Sequence, residues 1–118
     1  MKTILLTGGS AGIGLATAEL LMNKGYRVYS CSRRGGGEAQ KSDAAGEIIP
    51  LMLDVNDEAS VKAAVEQIMG ENDELYAVIS NAGNGIAGAI EDTSSEEAKE
   101  QLETNFFGSV KVIQACLP

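Results

Sequence analysis

Apolar runs alternate along the chain with segments in which apolar residues recur every three or four positions. The runs predict four strands, at Thr3–Leu6, Arg27–Cys31, Ile48–Leu53 and Leu75–Ser80. The intervening segments predict helices at about Gly12–Lys24, between Asn56 and Gly70, and from Ser94 to about Leu117. Strands alternating with helices indicate an α/β fold with a parallel sheet and right-handed crossovers. Numbered along the chain, the strands are expected in the order 3-2-1-4.

Local signals mark where the predicted helices begin and end. Gly25 is a natural C-cap for the first helix. The second helix carries one apolar stripe, formed by Val61, Ala64, Val65, Ile68 and Met69. Ser94 and Glu97 have the spacing of a capping box at the start of the last helix.

Two segments give weaker predictions. Ser32 to Gly46 is polar and rich in glycine, so it has room for at most a short helix near Glu38–Ala45. On the last helix, Leu102, Phe106 and Ile113 fall on a single stripe.

A glycine-rich turn separates the first strand from the first helix. It reads Thr-Gly-Gly-Ser-Ala-Gly-Ile-Gly from Thr7 to Gly14, with Ser10 and Ala11 in its middle. Glycines allow a backbone to approach a phosphate closely, and the free N–H groups of a helix N-terminus attract the anion. A plain βα turn that needs glycine only for its geometry is the alternative. No Gly-Lys-Ser/Thr sequence follows, which argues against a Walker-type site.

The predicted strand order reverses between the first and fourth strands, and ligands of open α/β sheets bind at such a point. The glycine turn and the loop Asn81–Gly85 are expected to meet there.

Two further positions bear on the ligand. A dinucleotide site needs a partner for the adenosine ribose after the second strand, where this chain has Ser32, Arg33 and Arg34. Guanidinium groups pair with a 2′-phosphate, so the site is expected to prefer NADP(H) over NAD(H), unless the arginines are simply solvated loop charges. Asp54, just past the third strand, can accept a hydrogen bond from an adenine amino group or cap the next helix.

Composition narrows the possible functions. The 118 residues carry a net charge of −8, which argues against nucleic-acid or anionic-membrane partners. Residues 1–45 hold six basic and three acidic residues, whereas residues 46–118 hold three and fourteen, so the basic part contains the glycine turn. No histidine is present, which excludes a Ser-His-Asp triad and histidine-ligated metal within the chain, and no metal site is expected. The two cysteines form no disulfide framework and suggest a cytoplasmic protein.

Four motifs together resemble the short-chain dehydrogenase/reductase family. They are Thr7–Gly14, Asp54-Val55, Asn81-Ala82-Gly83 and Asn105-Phe106-Phe107-Gly108. The resemblance extends from Lys2 to Pro118 and implies a Rossmann-like fold with NAD(P)-dependent oxidation or reduction of alcohols and carbonyls. It further implies that residues 1–118 form part of an NAD(P)-binding Rossmann domain, truncated after the fourth strand and its long helix.

The resemblance also assigns roles to individual residues. Thr7, Gly8, Gly12, Ile13 and Gly14 match the cofactor turn, and Arg33 matches a basic position of NADP-preferring members. Asp54 and Val55 match adenine contacts, which favours the ligand role of Asp54 over the capping role. Asn81, Ala82 and Gly83 match the cofactor wall, although Ser80 stands where the family often has another asparagine. Asn105 matches the helix asparagine of the catalytic tetrad, which helps hold a water in the proton relay.

The remaining tetrad residues, a Ser and a Tyr-x-x-x-Lys pair, have no match in this chain. Tyr26, Tyr29 and Tyr76 are followed four positions later by Ser30, Arg33 and Ser80. The chain is therefore expected to bind cofactor without catalysing the reaction alone. A non-catalytic nucleotide-binding or self-assembling module is the alternative. In either case a homo-oligomer is expected, through the unpaired fourth strand, the last helix or both.

Overall fold

A five-stranded sheet organises the computed structural model, which describes residues 1–10, 12–35, 37–81 and 94–117. The strands are β1 (Thr3–Thr7), β2 (Arg27–Ser32), β3 (Gln40–Lys41), β4 (Glu47–Met52) and β5 (Ala77–Ile79). Their order is β3-β4-β2-β1-β5, and every pairing is parallel except the antiparallel pair of β3 and β4. Without β3, this is the predicted 3-2-1-4 order, so the Rossmann-like arrangement is confirmed.

The helices cover both faces of the sheet. They are α1 (Gly12–Asn23), α2 (Glu58–Glu71), α3 (Ser95–Leu102) and α4 (Gly108–Cys116), and a π-helical turn (Glu103–Phe107) joins α3 to α4. The predicted cap at Gly25 is confirmed: its φ is 91°, its N–H donates to Met22 O at 3.0 Å, and Tyr26 N–H donates to Leu21 O at 3.1 Å. Ser94 and Glu97 form the predicted capping box.

Alternation along the central strands divides the core into two clusters. Leu5 and Leu6 of β1 are both fully buried, but they point to opposite faces of the sheet. The Leu5 cluster includes residues of α2 and α4, and the Leu6 cluster includes residues of α1. The predicted α2 stripe is buried except for Met69, which is 42% exposed.

The segment after β2 contains no helix near Glu38–Ala45. Instead, the two-residue strand β3 covers the outer edge of β4. The Ser42 hydroxyl stabilises the turn between these strands by accepting from Gly46 N at 3.2 Å and donating to Met22 O at 2.8 Å. A helix here would have no apolar face to bury, whereas the hairpin supplies hydrogen bonds to β4 and to the end of α1.

The bounds of α2 and β5 also differ from the prediction, whereas β1, β2, β4 and α1 shift by one residue at one or both ends. α2 continues past Gly70 to Glu71, because the Asn72 side chain donates to Ile68 O at 2.8 Å and so satisfies a terminal carbonyl. β5 is shorter than Leu75–Ser80 and only half-buried, not covered on both faces. Its outer edge has no strand partner among the described residues.

The last helix is interrupted rather than continuous. In the π-helical turn, Gly108 N–H donates to Glu103 O, five residues back, so one extra residue enters the helix. Gly108 lies against Val55, and a Cβ at this position would lie 2.8 Å from Val55 Cγ2. The inward face of α4 carries Gly108 and Val112, with Ala115 and Cys116 packed against the same core. Of the predicted stripe, Leu102 and Ile113 are exposed, and the Phe106 side chain lies outside the described part of the structure. Leu117, at the end of the same helix, is exposed as well.

Candidate functional site

The glycine-rich turn is tied to the end of β2. Gly8 N–H donates to Cys31 O at 2.7 Å, and Gly9 N–H approaches the same carbonyl at 3.4 Å. Gly8 has a φ of 70°, in the region that favours glycine. A Cβ on Gly9 would clash with the Ser30 hydroxyl and lie 3.1 Å from Ser30 Cβ. The turn therefore sits directly on β2.

Close approach between α1 and the turn requires Gly14. A Cβ there would clash with the Gly8 carbonyl and lie 2.8 Å from Asn81 Nδ2. Gly12 is different: its φ is 58°, but a Cβ would meet no described atom within 4 Å. The turn is thus packed tightly on the side of Gly14 and meets no described atom on the side of Gly12, which is the arrangement of a ligand-binding turn. Ser10 and Ile13 beside it are exposed, Ile13 by 80%, whereas Ala11 lies outside the described residues.

Asn81 joins the end of β5 to the glycine turn. Its backbone N–H donates to Thr7 Oγ1 at 2.9 Å, and its side chain donates to Gly8 O at 3.2 Å. The structure thus brings Asn81 to the turn across the point where the strand order reverses, as the sequence predicted. Ala82 and Gly83, predicted to act with Asn81, lie outside the described residues.

The arginine pair lies at the same edge of the sheet as the glycine turn. β1 and β2 are parallel, with Thr7 paired to Cys31, so the turn that follows β2 begins beside Thr7. Gly35 N–H donates to Ser32 O at 3.1 Å, which places Arg33 and Arg34 in the middle of that turn, both exposed. Neither side chain is buried, so both are available to an anion at this edge.

Asp54 does not cap α2. Asp57 is the N-cap, and its side chain accepts from Ala59 N and Ser60 N. Asp54 Oδ1 instead accepts from Asn56 N at 3.0 Å, and Asp54 N–H donates to Ser60 Oγ at 3.0 Å. The capping role considered for Asp54 is therefore wrong, and its carboxylate stands in the loop after β4.

Val55, next to Asp54, is 7% exposed and belongs to the core. Its side chain packs against Gly108, so a ligand would reach Val55 through its backbone.

Asn105 lies on the π-helical turn with its side chain exposed. Its carbonyl accepts from Ser109 Oγ at 3.1 Å, and Ser80 Oγ lies 2.8 Å from Ser109 Oγ. Sequence reasoning noted Ser80 only as a departure from the family pattern and did not single out Ser109. The available signal was a serine four residues after Asn105, the spacing of a hydroxyl that bonds back along a helix.

None of the three tyrosines lies at this edge. Tyr26 and Tyr76 precede their strands and stack at the opposite edge, with ring centroids 6.1 Å apart. The Tyr29 hydroxyl donates to Glu71 Oε1 at 3.1 Å and accepts from Asn72 Nδ2 at 2.9 Å, at the end of α2. Burial raises the pKa of Tyr29. The tyrosines therefore provide structural contacts away from the crevice.

The cysteines are not nucleophiles in this site. Burial raises the pKa of Cys31 to about 12, with a smaller contribution from nearby Cys116. Burial also raises the pKa of Cys116, and neither thiol is in a disulfide. Both therefore remain protonated near neutral pH and pack in the core.

The family model for short-chain dehydrogenases matches residues 2–118. The chain belongs to the short-chain dehydrogenase/reductase family. A 3-ketodihydrosphingosine reductase of Bacteroides thetaiotaomicron is 43% identical over 117 residues, which are 99% of this chain and 41% of the relative. The family binds nicotinamide dinucleotides.

Solved structures of other dehydrogenases contain the same fold. The ligand-free aldohexose dehydrogenase of Thermoplasma acidophilum has a TM-score of 0.83 at 30% identity, over 98% of this chain and 42% of that one. An alcohol dehydrogenase of Thermococcus sibiricus, solved with 5-hydroxy-NADP, has a TM-score of 0.83 at 26% identity, over 98% of this chain and 52% of that one. The chain thus spans about two fifths to one half of the length of these relatives.

The part of the chain that the structure describes contains neither a membrane-spanning helix nor a metal-binding cluster. No helix in this part of the short-chain dehydrogenase chain is long and apolar enough to cross a membrane. Within the same ranges, no group of three or more His, Cys, Asp or Glu residues could hold a metal ion.

Proposed function

We propose that this chain is the NADP(H)-binding portion of an oxidoreductase that interconverts alcohols and carbonyls. The observation that carries the proposal is the contact among Gly14, the Gly8 carbonyl and Asn81, which leaves no room for a Cβ under an open turn. Close backbone packing of this kind allows a diphosphate to contact the N–H groups at the start of a helix. The residues present fit the dinucleotide that the family uses.

Each part of the dinucleotide has a candidate partner. Backbone N–H groups between Ser10 and Gly14 face the diphosphate at the start of α1. Arg33 and Arg34 pair with a 2′-phosphate on the ribose, which a carboxylate would repel. Asp54 accepts from the adenine amino group, and Val55 contacts the adenine through its backbone. The family resemblance assigns Ala82 and Gly83, which lie outside the described residues, to the same cofactor contact as Asn81.

When bound, the nicotinamide supplies or accepts a hydride at the carbon of the alcohol or carbonyl. The chain's own contribution at that end is Asn105, proposed to hold a water of the proton relay. The three tyrosines lie elsewhere, which supports the proposal that the proton donor lies outside these 118 residues. We therefore propose that this chain alone does not turn over substrate.

Titration with NADPH and NADH, followed by ligand fluorescence, tests the cofactor proposal. Arg33→Ala should weaken NADPH binding about tenfold, the scale of one charge-assisted pair, and leave NADH within about twofold. Lys41→Ala, on β3 beside Glu47 at the opposite end of the strands, is the matched control and should change neither. Comparable or tighter binding of NADH by the unmodified chain would refute the NADP(H) preference. Turnover of any carbonyl by the chain alone would refute the missing donor.

A second function, self-assembly, is supported by a separate observation. The outer edge of β5 lacks a strand partner among the described residues, and Leu102, Ile113 and Leu117 are 55%, 45% and 66% exposed. We propose a homo-oligomer through this edge, this stripe, or both.

Sedimentation over a range of concentrations tests the assembly. Ile113→Glu should shift the protein toward monomer, whereas Leu20→Glu, at a 57% exposed position on α1, should not. A monomer at high concentration would contradict self-assembly. We also propose a cytoplasmic location from the free thiols, which fractionation of expressing cells would check.

A further inference from the structure

Two serine hydroxyls form a bridge between the sheet and the helix that carries Asn105. Ser80, directly after β5, lies 2.8 Å through its Oγ from Ser109 Oγ on α4. Ser109 Oγ in turn donates to the Asn105 carbonyl at 3.1 Å. Because a hydroxyl both donates and accepts, Ser80 donates to Ser109 while Ser109 donates to the helix.

The bridge starts beside the cofactor turn. Successive residues at the end of a strand point to opposite sides, and here Asn81 contacts Thr7 and Gly8 while Ser80 contacts Ser109. The dipeptide Ser80-Asn81 therefore connects the glycine turn on one side with the Asn105 turn on the other. A shift of either contact would change the distance between the two parts of the proposed site.

The segment that receives the bridge is irregular. A π-helical turn is rare and short, and it persists where surrounding contacts hold it. On the inward side Gly108 lies against Val55. On the crevice side, the Ser80–Ser109 contact is a direct polar link from the sheet to this part of the helix.

We propose that Ser80 and Ser109 are positioning residues that hold the Asn105 turn at the crevice edge. The role of Asn105 itself rests on the proposed function, whereas the bridge can be tested without it. A purely local role, in which Ser109 only bonds back along its own helix, is the alternative. That alternative needs no Ser80.

Amide hydrogen exchange on the full chain separates the two. Ser80→Ala should speed exchange at residues 106–110 by about fivefold, the scale of one net hydrogen bond, and leave α2 unchanged. Ser109→Ala should speed it at least as much, because it also removes the bond to the Asn105 carbonyl. The double variant should exchange no faster than the faster single one, because one bridge is broken in each. Ser109→Thr keeps the hydroxyl and should restore slow exchange. The Asn105 side-chain amide resonances should move in the alanine variants and return in Ser109→Thr.

Thr17→Ala is the matched control. Thr17 Oγ1 donates to Ile13 O at 2.8 Å, a hydroxyl bond back along α1, so its loss should leave residues 106–110 and the Asn105 resonances unaffected. Unchanged exchange in Ser80→Ala would overturn the bridge, as would a uniform increase across all helices.

NADPH titration of the same variants keeps this inference distinct from the proposed function. The Ser80→Ala and Ser109→Ala variants should bind NADPH within about twofold of the unmodified chain, since both leave the contacts of Asn81 with Thr7 and Gly8 in place. Failure of the unmodified chain to bind NADPH would refute the proposed cofactor site and leave the exchange result standing. A tenfold loss of NADPH binding in Ser80→Ala, with unchanged exchange, would refute the bridge.

Discussion

Gly9→Ala tests whether the glycine turn rests on β2 as tightly as the structure indicates. The added methyl group would clash with the Ser30 hydroxyl and lie 3.1 Å from Ser30 Cβ and 3.2 Å from Ser30 Cα. Ser30 is 3% exposed, so neighbouring atoms leave it little freedom to move. Overpacking of this kind costs about 1–3 kcal/mol, and we expect about 2 kcal/mol. In a chain of 118 residues, this loss lowers the melting temperature by about 8 °C.

Urea unfolding of four proteins measures the contact directly: the unmodified chain, Gly9→Ala, Ser30→Ala, and the double variant. Ser30→Ala removes the clashing hydroxyl but keeps Cβ, so the methyl group should cost about 1 kcal/mol less in that background.

Gly12→Ala is the control, because its φ of 58° is strained for alanine although a Cβ there meets no described atom within 4 Å. It should cost about 1–2 kcal/mol with or without the Ser30 hydroxyl. An equal cost of Gly9→Ala in both backgrounds would refute the packing argument.

Three further predictions concern the stability of the chain. Gly108→Ala should destabilise the chain by about 1 kcal/mol, since the clash with Val55 exceeds the gain in helix propensity, and Val55→Ala in the same chain should reverse the sign in urea unfolding. The free energy of unfolding should fall by about 1.4 kcal/mol per pH unit from pH 9 toward 12, because the Cys31 thiol ionises there only in the unfolded state. Cys31→Ala should remove this part of the fall, and an equally steep fall in the variant would contradict the argument. Tyr29→Phe should lower the free energy of unfolding by about 1 kcal/mol, because it removes the hydrogen bonds to Glu71 and Asn72. Because the pKa of Tyr29 is raised in the folded state, the unmodified chain loses stability above pH 10 as the unfolded hydroxyl ionises first, and the variant should lose less there. A melting temperature equal to that of the unmodified chain would count against this.

The sheet order was predictable because each parallel strand is a short apolar run and each crossover is a helix. Leu5 and Leu6 are both buried, so β1 had to be covered on both faces, and the alternation of elements then fixed its neighbours. The helix caps at Gly25 and Ser94 could also be predicted from the sequence, because each depends only on neighbouring residues in the chain.

Features that depend on tertiary packing could not be read in the same way. The π-helical turn arises where Gly108 meets Val55, more than fifty positions earlier in the chain, and no local pattern encodes that contact. Asp54 and Asp57 are both suitable helix caps, and the backbone path after β4 decides in favour of Asp57. The strand β3 was missed because Gln40 and Lys41 have no apolar alternation; hydrogen bonds to β4 define it.

The strand β3 also limits how this sheet can grow. It covers one edge with two residues, one of them a lysine, and leaves the three-residue strand β5 at the other, open edge of the sheet. An open filament of sheets needs two different edges that can pair with each other, and this sheet offers only the edge of β5. If β5 pairs with another copy, the contact is isologous, the two β5 strands run antiparallel about a two-fold axis, and the assembly closes at two. By covering the edge opposite β5, the β3–β4 hairpin thus favours a closed dimer over an open fibre.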